Sequence, residues 1–164
     1  MGDDNIDLLA VQGQLADYFV HLGNRIEKLT RTLGPEQLWV NPLPFGNSVG
    51  NLVVHLTGSL SHFIGTGVAG SGYVRNRVAE FSDASIGRTA DEILTAFNAT
   101  VGMVVQTLRS QDGQVLGSPF ATGGSPVQNR FGIFLVCAGH MSNHIGQMVY
   151  LLHAHGYQFD ERSW

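Results

Sequence analysis

The sequence predicts an all-α protein, a four-helix bundle with long inter-helix loops. Three observations support this fold class. Apolar residues recur at helical spacing in four segments of roughly twenty to thirty residues, residues that cap or end helices flank those segments, and no segment shows the strict alternation of a half-buried strand. Because 164 residues are the length of one domain, we expect residues 1–164 to form a single domain.

The first predicted helix spans Ile6 to Leu33. Its apolar positions form one stripe, in which leucines recur every seven residues: Leu8, Leu15, Leu22 and Leu29. This spacing is typical of an amphipathic helix that buries one face. Gly34 and Pro35 follow directly and are expected to end the helix, because glycine and proline together interrupt helical hydrogen bonding.

The second predicted helix begins after Asn47 or Ser48 and continues to about Ala69. Either of the two polar side chains can cap the helix by accepting a hydrogen bond from an N–H group of the first turn. Four glycines lie within this helix, at positions 50, 58, 65 and 67. Each glycine weakens a helix by up to about 1 kcal/mol relative to alanine, so we expect other groups to pack closely against them.

A long connection, residues 70–88, precedes the third predicted helix. Its length exceeds that of most helix-to-helix connections in bundles, and long loops often carry function. Thr89 followed by Glu92 forms a capping-box signature, which opens a helix that ends near Gln111. Residues 112–124 are rich in glycine, serine and proline and are predicted to form a loop, with a short extended piece around residues 115–116.

The last predicted helix lies between Ser125 and Gly156. Ser125 can cap the helix, Pro126 suits the first helical position, and Gly156 can adopt the left-handed conformation that ends a helix. The long connections after the first and second helices allow a non-sequential order of helices in the bundle, which the spacing does not decide.

Composition excludes several classes of partner. The net charge is -4, from 9 basic and 13 acidic residues, and no dense cluster of Lys and Arg is present, so we expect no nucleic-acid partner. The longest apolar segment, near Phe131 to Gly139, is far shorter than the roughly 20 residues that span a bilayer, so we expect no membrane partner.

The expected location is the cytoplasm. The chain starts without a basic segment followed by an apolar one, which a secretory signal requires, and its single cysteine, Cys137, is compatible with a reducing compartment. Charged residues are only 13% of the chain while hydrophobic residues are 43%, a balance that favours additional buried surface between subunits. We therefore expect a homo-oligomer.

Three histidines form the candidate functional site. His140 and His144 lie four residues apart on the last predicted helix, so their imidazoles project from one face. His55 lies within an apolar stretch of the second helix, which must face the bundle interior. Three such ligands would leave a coordination position for water or substrate, as in catalytic metal sites. Hydrogen-bonded core histidines are the alternative, and the sequence is compatible with both interpretations.

The surrounding residues restrict the chemistry of this candidate site. Met141 follows His140 where the HExxH motif of zinc proteases has its glutamate, so a protease of that type is not expected. The Glu-x-x-His pairs of di-iron bundles are also missing from the sequence. Three neutral imidazoles leave the positive charge of a metal uncompensated, which favours an anionic fourth ligand and suits activation of a thiol or water.

Three further residues could support the site from the last helix and the second helix. Gln147 lies one turn beyond His144 and could orient a ligand, or it could be an ordinary buried amide. His62 could stand beside the site or bind substrate, although hydrogen-bonded structure is the more common role. Cys137 could be an additional ligand or a redox-sensitive thiol, but a buried cysteine usually behaves as a small apolar residue.

Arg75 and Arg77 in the long connection are the remaining candidates. Their guanidinium groups could bind a carboxylate or another anionic group of a ligand. The alternative is a solvated loop or a salt bridge with Glu80, which we consider the more common outcome for such residues.

Three segments resemble the DinB/YfiT superfamily. The sequence NSVGNLVVHL at residues 47–56 and the sequence HMSNHIGQ at residues 140–147 carry the resemblance, and residues 73–81 look like the uncharacterised branch of that superfamily. The resemblance implies a four-helix bundle, usually dimeric, that holds a divalent metal such as zinc or nickel through His55, His140 and His144. Characterised relatives include transferases and isomerases that use bacillithiol or mycothiol, so the resemblance also implies a low-molecular-weight thiol as cofactor.

Three functions follow from these observations. The first is a metal-dependent enzyme of thiol-transferase or related type, in which a bound thiol or water becomes the nucleophile for a small-molecule substrate. The second is a non-catalytic metal-binding or stress-related bundle, and the third is a dimeric scaffold whose histidines bind nothing. An open coordination position would favour the first function, and a fourth protein ligand such as Cys137 would favour the second.

Overall fold

The computed structural model describes residues 8–82, 86–120 and 127–158. Helices dominate these residues, whose only β pairing is an isolated antiparallel bridge between Pro119 and Asn129. The all-α prediction is thus confirmed. In chain order the α-helices are α1 (Leu8–Thr32), α2 (Val49–Leu60), α3 (Arg77–Glu80), α4 (Ala90–Ser110), α5 (Gly113–Gly117) and α6 (Arg130–Ala154), and α2 continues as a π-helix, Ser61–Thr66.

The four long helices form a bundle in which α1 and α2 occupy opposite corners. Helix α4 packs against both α1 and α2, and so does α6, whereas α1 and α2 have few contacts with each other. The connection from residue 33 to residue 48 therefore crosses the bundle. Phe19, Phe97 and Phe134 are fully buried between these helices. This order places α2 beside α6, the two helices that carry the candidate histidines.

Two helix starts agree with the sequence prediction. Ser48 caps α2, and its side chain accepts a hydrogen bond from the backbone N–H of Asn51 at 3.2 Å. Thr89 and Glu92 form the complete capping box at the start of α4. After the last helix, Gly156 has a φ of 89°, the left-handed conformation that was expected there.

The start of the last helix was predicted too early. Ser125 and Pro126 lie outside the described residues, but helix α6 begins at Arg130, where the Asn129 side chain accepts a hydrogen bond from the N–H of Gly132 at 2.8 Å. The reason is a competing backbone pairing, since the N–H of Phe120 donates to the carbonyl of Gln128 at 3.0 Å. This pairing and the extended backbone of Asn129, with φ of -143° and ψ of 171°, delay the helix.

A second correction concerns the connection before α6. Residues 115–116 were expected to be extended, but they lie in the short helix α5. The side chain of Asp112 caps this helix by accepting a hydrogen bond from the N–H of Val115 at 2.8 Å. Leu116 is buried, so the helical turn adds an apolar residue to the core.

The glycines of the second helix have close neighbours, as expected for glycines that would otherwise only weaken the helix. A Cβ atom at Gly50 would lie 2.7 Å from the ring of Trp39, and one at Gly67 would lie 2.9 Å from the ring of Phe120. At Gly58 a Cβ atom would overlap the carboxylate of Glu80. Only glycine therefore lets these side chains approach the helix backbone.

Membrane insertion finds no support in the described helices. Within residues 8–82, 86–120 and 127–158, no helix combines the length and the apolar character that crossing a bilayer requires.

Candidate metal centre

The fold brings His55 of α2 together with His140 and His144 of α6. One nitrogen atom from each imidazole lies within 4.8 Å of the other two, and within the described part of the chain this is the only group of three or more His, Cys, Asp or Glu side chains with that property. His55 and His144 are buried, with exposed fractions of 6% and 9%. Two residues four apart on one helix, whose common face the helical spacing predicted, thus converge with a third residue on the neighbouring helix.

The nitrogen atoms that converge are the three Nε2 atoms. Nε2 of His140 lies 3.2 Å from Nε2 of His55 and 2.8 Å from Nε2 of His144. In a tetrahedral site with metal–nitrogen bonds of about 2.0–2.1 Å, the ligand nitrogens are about 3.3 Å apart. The observed separations therefore fit three imidazole ligands of one ion after small side-chain movements.

Glu80 fixes the protonation of His55. One carboxylate oxygen of Glu80 lies 2.8 Å from Nδ1 of His55. An ionised carboxylate only accepts hydrogen bonds, so the imidazole proton must be on Nδ1. The lone pair of Nε2 then points toward the other two histidines, which is the form that binds a metal.

Glu80 is itself held by Arg75 in a bidentate ion pair. Nε of Arg75 donates to one carboxylate oxygen at 2.7 Å, and Nη2 donates to the other at 2.8 Å. Both side chains are largely buried, with exposed fractions of 13% for Arg75 and 5% for Glu80. Helix α3 ends at Glu80, so the long connection brings this carboxylate onto α2, where Gly58 leaves space for it.

The other two histidines also have partners at Nδ1. Nδ1 of His144 donates to Oε1 of Gln147 at 2.8 Å, which again leaves the Nε2 lone pair facing the centre. Nδ1 of His140 lies 3.4 Å from the hydroxyl of Ser59, a longer contact. The outer nitrogens are thus oriented by side chains, while the inner nitrogens meet. A cation at the centre would satisfy all three Nε2 lone pairs at once. Without a cation, a proton on Nε2 of His140 would have to serve the lone pairs of both His55 and His144.

Burial keeps the three imidazoles neutral near pH 7. It lowers the pKa of His140 to about 4, with further lowering from the nearby His144 and His55. Burial also lowers the pKa of His55 and of His144, although the Glu80 carboxylate partly opposes the effect at His55. Neutral imidazoles are the form that ligates metals, so the site does not have to lose protons before an ion binds.

The carboxyl group of Glu80 stays ionised for the opposite reason. Burial alone would raise its pKa, but hydrogen bonds from Arg75 and His55 outweigh burial and hold the pKa of Glu80 below its usual value. The cluster is therefore built from three neutral bases and one carboxylate, whose negative charge is balanced by Arg75.

Two of the supporting candidates lie apart from the three histidines. His62 is exposed, and its ring packs against Phe63 at a centroid distance of 5.0 Å. Seven residues of helix separate it from His55, about 10 Å along the axis, which explains why it does not reach the centre. Cys137 is buried, and burial raises the pKa of its thiol to about 12. The cysteine therefore packs in the core as a neutral thiol.

The two arginine candidates have different positions. Arg75 forms the ion pair with Glu80 that the sequence offered as the alternative to ligand binding, and its Nη2 also lies 3.1 Å from Nδ1 of His55. Arg77 is exposed at the start of α3. Its positive charge makes only a minor contribution to the lowered pKa values of His55 and His140, which burial lowers most.

Sequence reasoning missed three contacts of this centre. It did not place the carboxylate of Glu80 on His55, the hydroxyl of Ser59 beside His140, or the ring of Phe81 against His55, where the ring centroids are 4.9 Å apart. Gly58 was a usable signal, because a glycine in the middle of a buried helix turn predicts that some group approaches it. The sequence alone does not say which group.

The chain is similar to known proteins in sequence profile and in fold. A family model described as "DinB superfamily" matches residues 18–148. The crystal structure of a DinB-like protein from Bacillus cereus is similar, with a TM-score of 0.69, 16% sequence identity, and coverage of 89% of this chain and 93% of that one. At this identity the likeness concerns the fold. No curated protein sequence matches the chain.

Proposed function

The chain belongs to the DinB superfamily, and we propose that it is a metal-dependent enzyme in which His55, His140 and His144 hold one divalent ion. Zinc or nickel is the proposed metal, because imidazole nitrogen suits both ions. The reaction that we propose is of thiol-transferase or related type, with a low-molecular-weight thiol as cofactor and a small molecule as substrate. We also propose a cytoplasmic homodimer as the working form.

One observation carries the metal proposal: the three Nε2 atoms converge while the Nδ1 atoms have partners on the outside. Metal-binding histidines commonly donate their other ring N–H to a carboxylate or another acceptor, which fixes the ring and the tautomer. Glu80 and Gln147 have this role for His55 and His144. A group of core histidines would need no such common orientation of the inner nitrogens.

The donor set favours catalysis over a closed structural site. Structural zinc sites commonly use four protein ligands, whereas catalytic sites use three and leave a position to water or substrate. Within the described residues the centre has three ligands, and Cys137 does not join them. A divalent ion held there would act as a Lewis acid that lowers the pKa of a bound thiol or water.

The chain's own residues would then position the thiol and its anionic groups. Glu80 and Gln147 hold the imidazoles in place, and Arg75 balances the charge of Glu80. Arg77 is exposed and adds positive charge near the centre. An anionic thiol is the substrate class that such a site favours, because three neutral imidazoles leave the positive charge of a divalent ion uncompensated.

Burial of the ligands supports a second candidate function. His55 and His144 are less than one tenth exposed, which limits approach to the centre from their side. The alternative is a non-catalytic metal-binding or stress-related bundle that holds its ion without turnover.

A calorimetric titration distinguishes the two functions. Zinc-loaded protein is titrated with N-acetylcysteine, with N-acetylserine as the matched control, in buffers of different ionisation enthalpy. The enzymatic proposal predicts that only the thiol binds and that binding releases about one proton per chain, since the thiolate is the form that a metal binds. Loss of this proton release in His140→Ala would assign it to the centre. Binding without proton release, or no binding of the thiol, would overturn the proposal in favour of the non-catalytic bundle.

A further inference from the structure

Ser59 is a buried residue of α2 that touches the metal centre without belonging to its ligand set. It follows His55 by four residues on the same helix, so both side chains project from one face of α2. Ser59 is only 1% exposed, and its hydroxyl oxygen lies 3.4 Å from Nδ1 of His140. Within the described part of the chain this is the one hydrogen-bond contact of the hydroxyl.

The contact of Ser59 differs from those of other hydroxyls on the long helices. A serine or threonine within a helix often donates to the carbonyl four residues earlier. Thr57 of the same helix donates to the carbonyl of Val53 at 2.9 Å, and Thr100 of α4 donates to that of Ala96 at 2.9 Å. Ser59 instead directs its hydroxyl toward an imidazole of the neighbouring helix.

The spacing of the inner nitrogens identifies the tautomer of His140 when no ion is bound. Nε2 of His140 lies 2.8 Å from Nε2 of His144, so one of these two nitrogens must carry a proton, because two lone pairs at this distance would repel. The proton of His144 is on Nδ1, where it is donated to Gln147. The proton at the centre therefore belongs to Nε2 of His140, and its Nδ1 has a lone pair. In this state the Ser59 hydroxyl must be the donor of the contact.

An ion at the centre requires the opposite arrangement at His140. It needs the lone pair of Nε2, so the neutral imidazole must carry its proton on Nδ1. One proton leaves Nε2 and one is bound at Nδ1, so the net charge of the imidazole does not change. The oxygen of Ser59 must then accept from Nδ1–H. A hydroxyl can serve both states, because it has one donor and two lone pairs.

The outer partners of the other two histidines fit one tautomer each. The carboxylate of Glu80 only accepts hydrogen bonds, so His55 keeps its proton on Nδ1 with or without an ion. The Oε1 atom of Gln147 also only accepts, and it holds His144 in the same form. His140 is thus the ligand whose outer partner is able to match both tautomers.

We propose that Ser59 is a positioning residue that allows His140 to change tautomer when the metal binds. Two imidazoles are preset for the ion by acceptors, and Ser59 keeps the third imidazole hydrogen-bonded before and after binding. This proposal rests on the proposed function, because it requires an ion at the three histidines. It assigns Ser59 no contact with the ion or with a substrate.

Nuclear magnetic resonance of the nitrogen-15-labelled full chain near pH 7 tests the tautomers directly. Ring nitrogens with and without a proton differ in chemical shift, so zinc-free and zinc-loaded protein can be compared nitrogen by nitrogen. We expect His55 and His144 to carry the proton on Nδ1 in both samples. His140 should change from Nε2–H to Nδ1–H on loading, and Nδ1–H at His140 in the zinc-free protein would overturn the proposal.

Substitution of Ser59 tests its part in this change. Ser59→Ala should lower the zinc affinity about tenfold in competition with a chromophoric chelator, the low end of the range for loss of an outer partner. The low end is expected because the zinc-free protein loses a hydrogen bond as well. Ser59→Thr keeps the hydroxyl and should bind zinc as wild type does. Ser61→Ala is the matched control, because Ser61 directly follows α2 and makes none of the hydrogen bonds of the centre.

A spectroscopic signature separates this role from a merely structural one. In zinc-loaded Ser59→Ala, whose fold circular dichroism verifies, the resonance of the His140 Nδ1 proton should shift while those of His55 and His144 stay in place. Equal zinc affinity of wild type and Ser59→Ala, or zinc binding without a tautomer change at His140, would overturn the proposal and leave the metal centre intact. No zinc binding by wild type would overturn the metal centre itself and the role of Ser59 with it.

Discussion

Replacing Glu80 by glutamine tests how the metal centre is held. Three N–H groups surround the carboxylate: Nδ1–H of His55 at 2.8 Å, Nε–H of Arg75 at 2.7 Å and Nη2–H of Arg75 at 2.8 Å. A carboxylate accepts all three, whereas the single oxygen of glutamine accepts two at most and its NH2 group faces a donor. If that NH2 group faces His55, the imidazole must move its proton to Nε2, and the lone pair at the centre is lost.

The expected magnitude follows from the role of Glu80 as the outer partner of His55. Removing such a partner lowers metal affinity about 10- to 100-fold. This factor equals about 1.4–2.7 kcal/mol of binding free energy. The Glu80 side chain is only 5% exposed, so water cannot replace the missing acceptor easily. Arg75 also loses its ionic partner, so we expect the free energy of unfolding to fall as well.

Competition for zinc with a chromophoric chelator at pH 7 measures this effect. Circular dichroism must first show that the variant is folded, so that weaker binding is not a consequence of unfolding. Glu36→Gln is the matched control, because Glu36 is exposed and belongs to the connection after α1. A zinc affinity of folded Glu80→Gln within twofold of the wild-type value would refute the assignment of Glu80 as the residue that positions His55.

Three further predictions concern single residues. Gly58→Ala should weaken zinc binding in the same competition assay, because the new Cβ atom would overlap the Glu80 carboxylate, even though alanine favours a helix. Gly139→Ala is the control and should leave the zinc affinity unchanged, because its Cβ atom would lie in open space. Burial raises the pKa of the Cys137 thiol to about 12, so roughly one thiol in 10,000 is ionised at pH 8. Iodoacetamide should therefore modify Cys137 only as fast as the protein unfolds, as measured by mass spectrometry. Rapid labelling of the native protein would contradict the burial of this side chain. In the folded protein, hydrogen bonds from Thr89 lower the pKa of Glu92. The stability that the Glu92 carboxylate contributes is therefore present above the unfolded pKa and is lost as pH falls through the folded pKa. The difference in Tm between wild type and Glu92→Gln should shrink from pH 7 to pH 3, and a constant difference would contradict this role of Glu92.

The inner faces of the helices could be predicted from the sequence because helical periodicity is local. The spacing of His140 and His144 places both imidazoles on one face, and His55 lies in a run of apolar residues that must be buried. Their convergence then needed only that α2 and α6 be neighbours. Local spacing does not encode that neighbourhood, so the apolar surroundings of His55 made it a candidate third ligand and the resemblance to a known family supported the three-ligand set.

The remaining features depend on contacts between distant parts of the chain. Glu80 reaches His55 across 25 positions, and it does so from a connection whose conformation no periodic pattern specifies. The predicted start of α6 was wrong for a similar reason. The N–H of Phe120 donates a hydrogen bond to the carbonyl of Gln128, and this pairing competes with helix formation. Capping signals show where a helix can begin, but non-local hydrogen bonds decide whether it does.

Metal content per chain tests the central claim most directly. Wild type, His55→Ala, His140→Ala, His144→Ala and His62→Ala are stripped of metal, reloaded with zinc, freed of excess ion and analysed by elemental analysis, with helicity measured in parallel. The account predicts about one ion per chain in wild type and in His62→Ala, whose exposed ring lies apart from the centre, and none in the other three variants at unchanged helicity. The same metal content in all five proteins would contradict it.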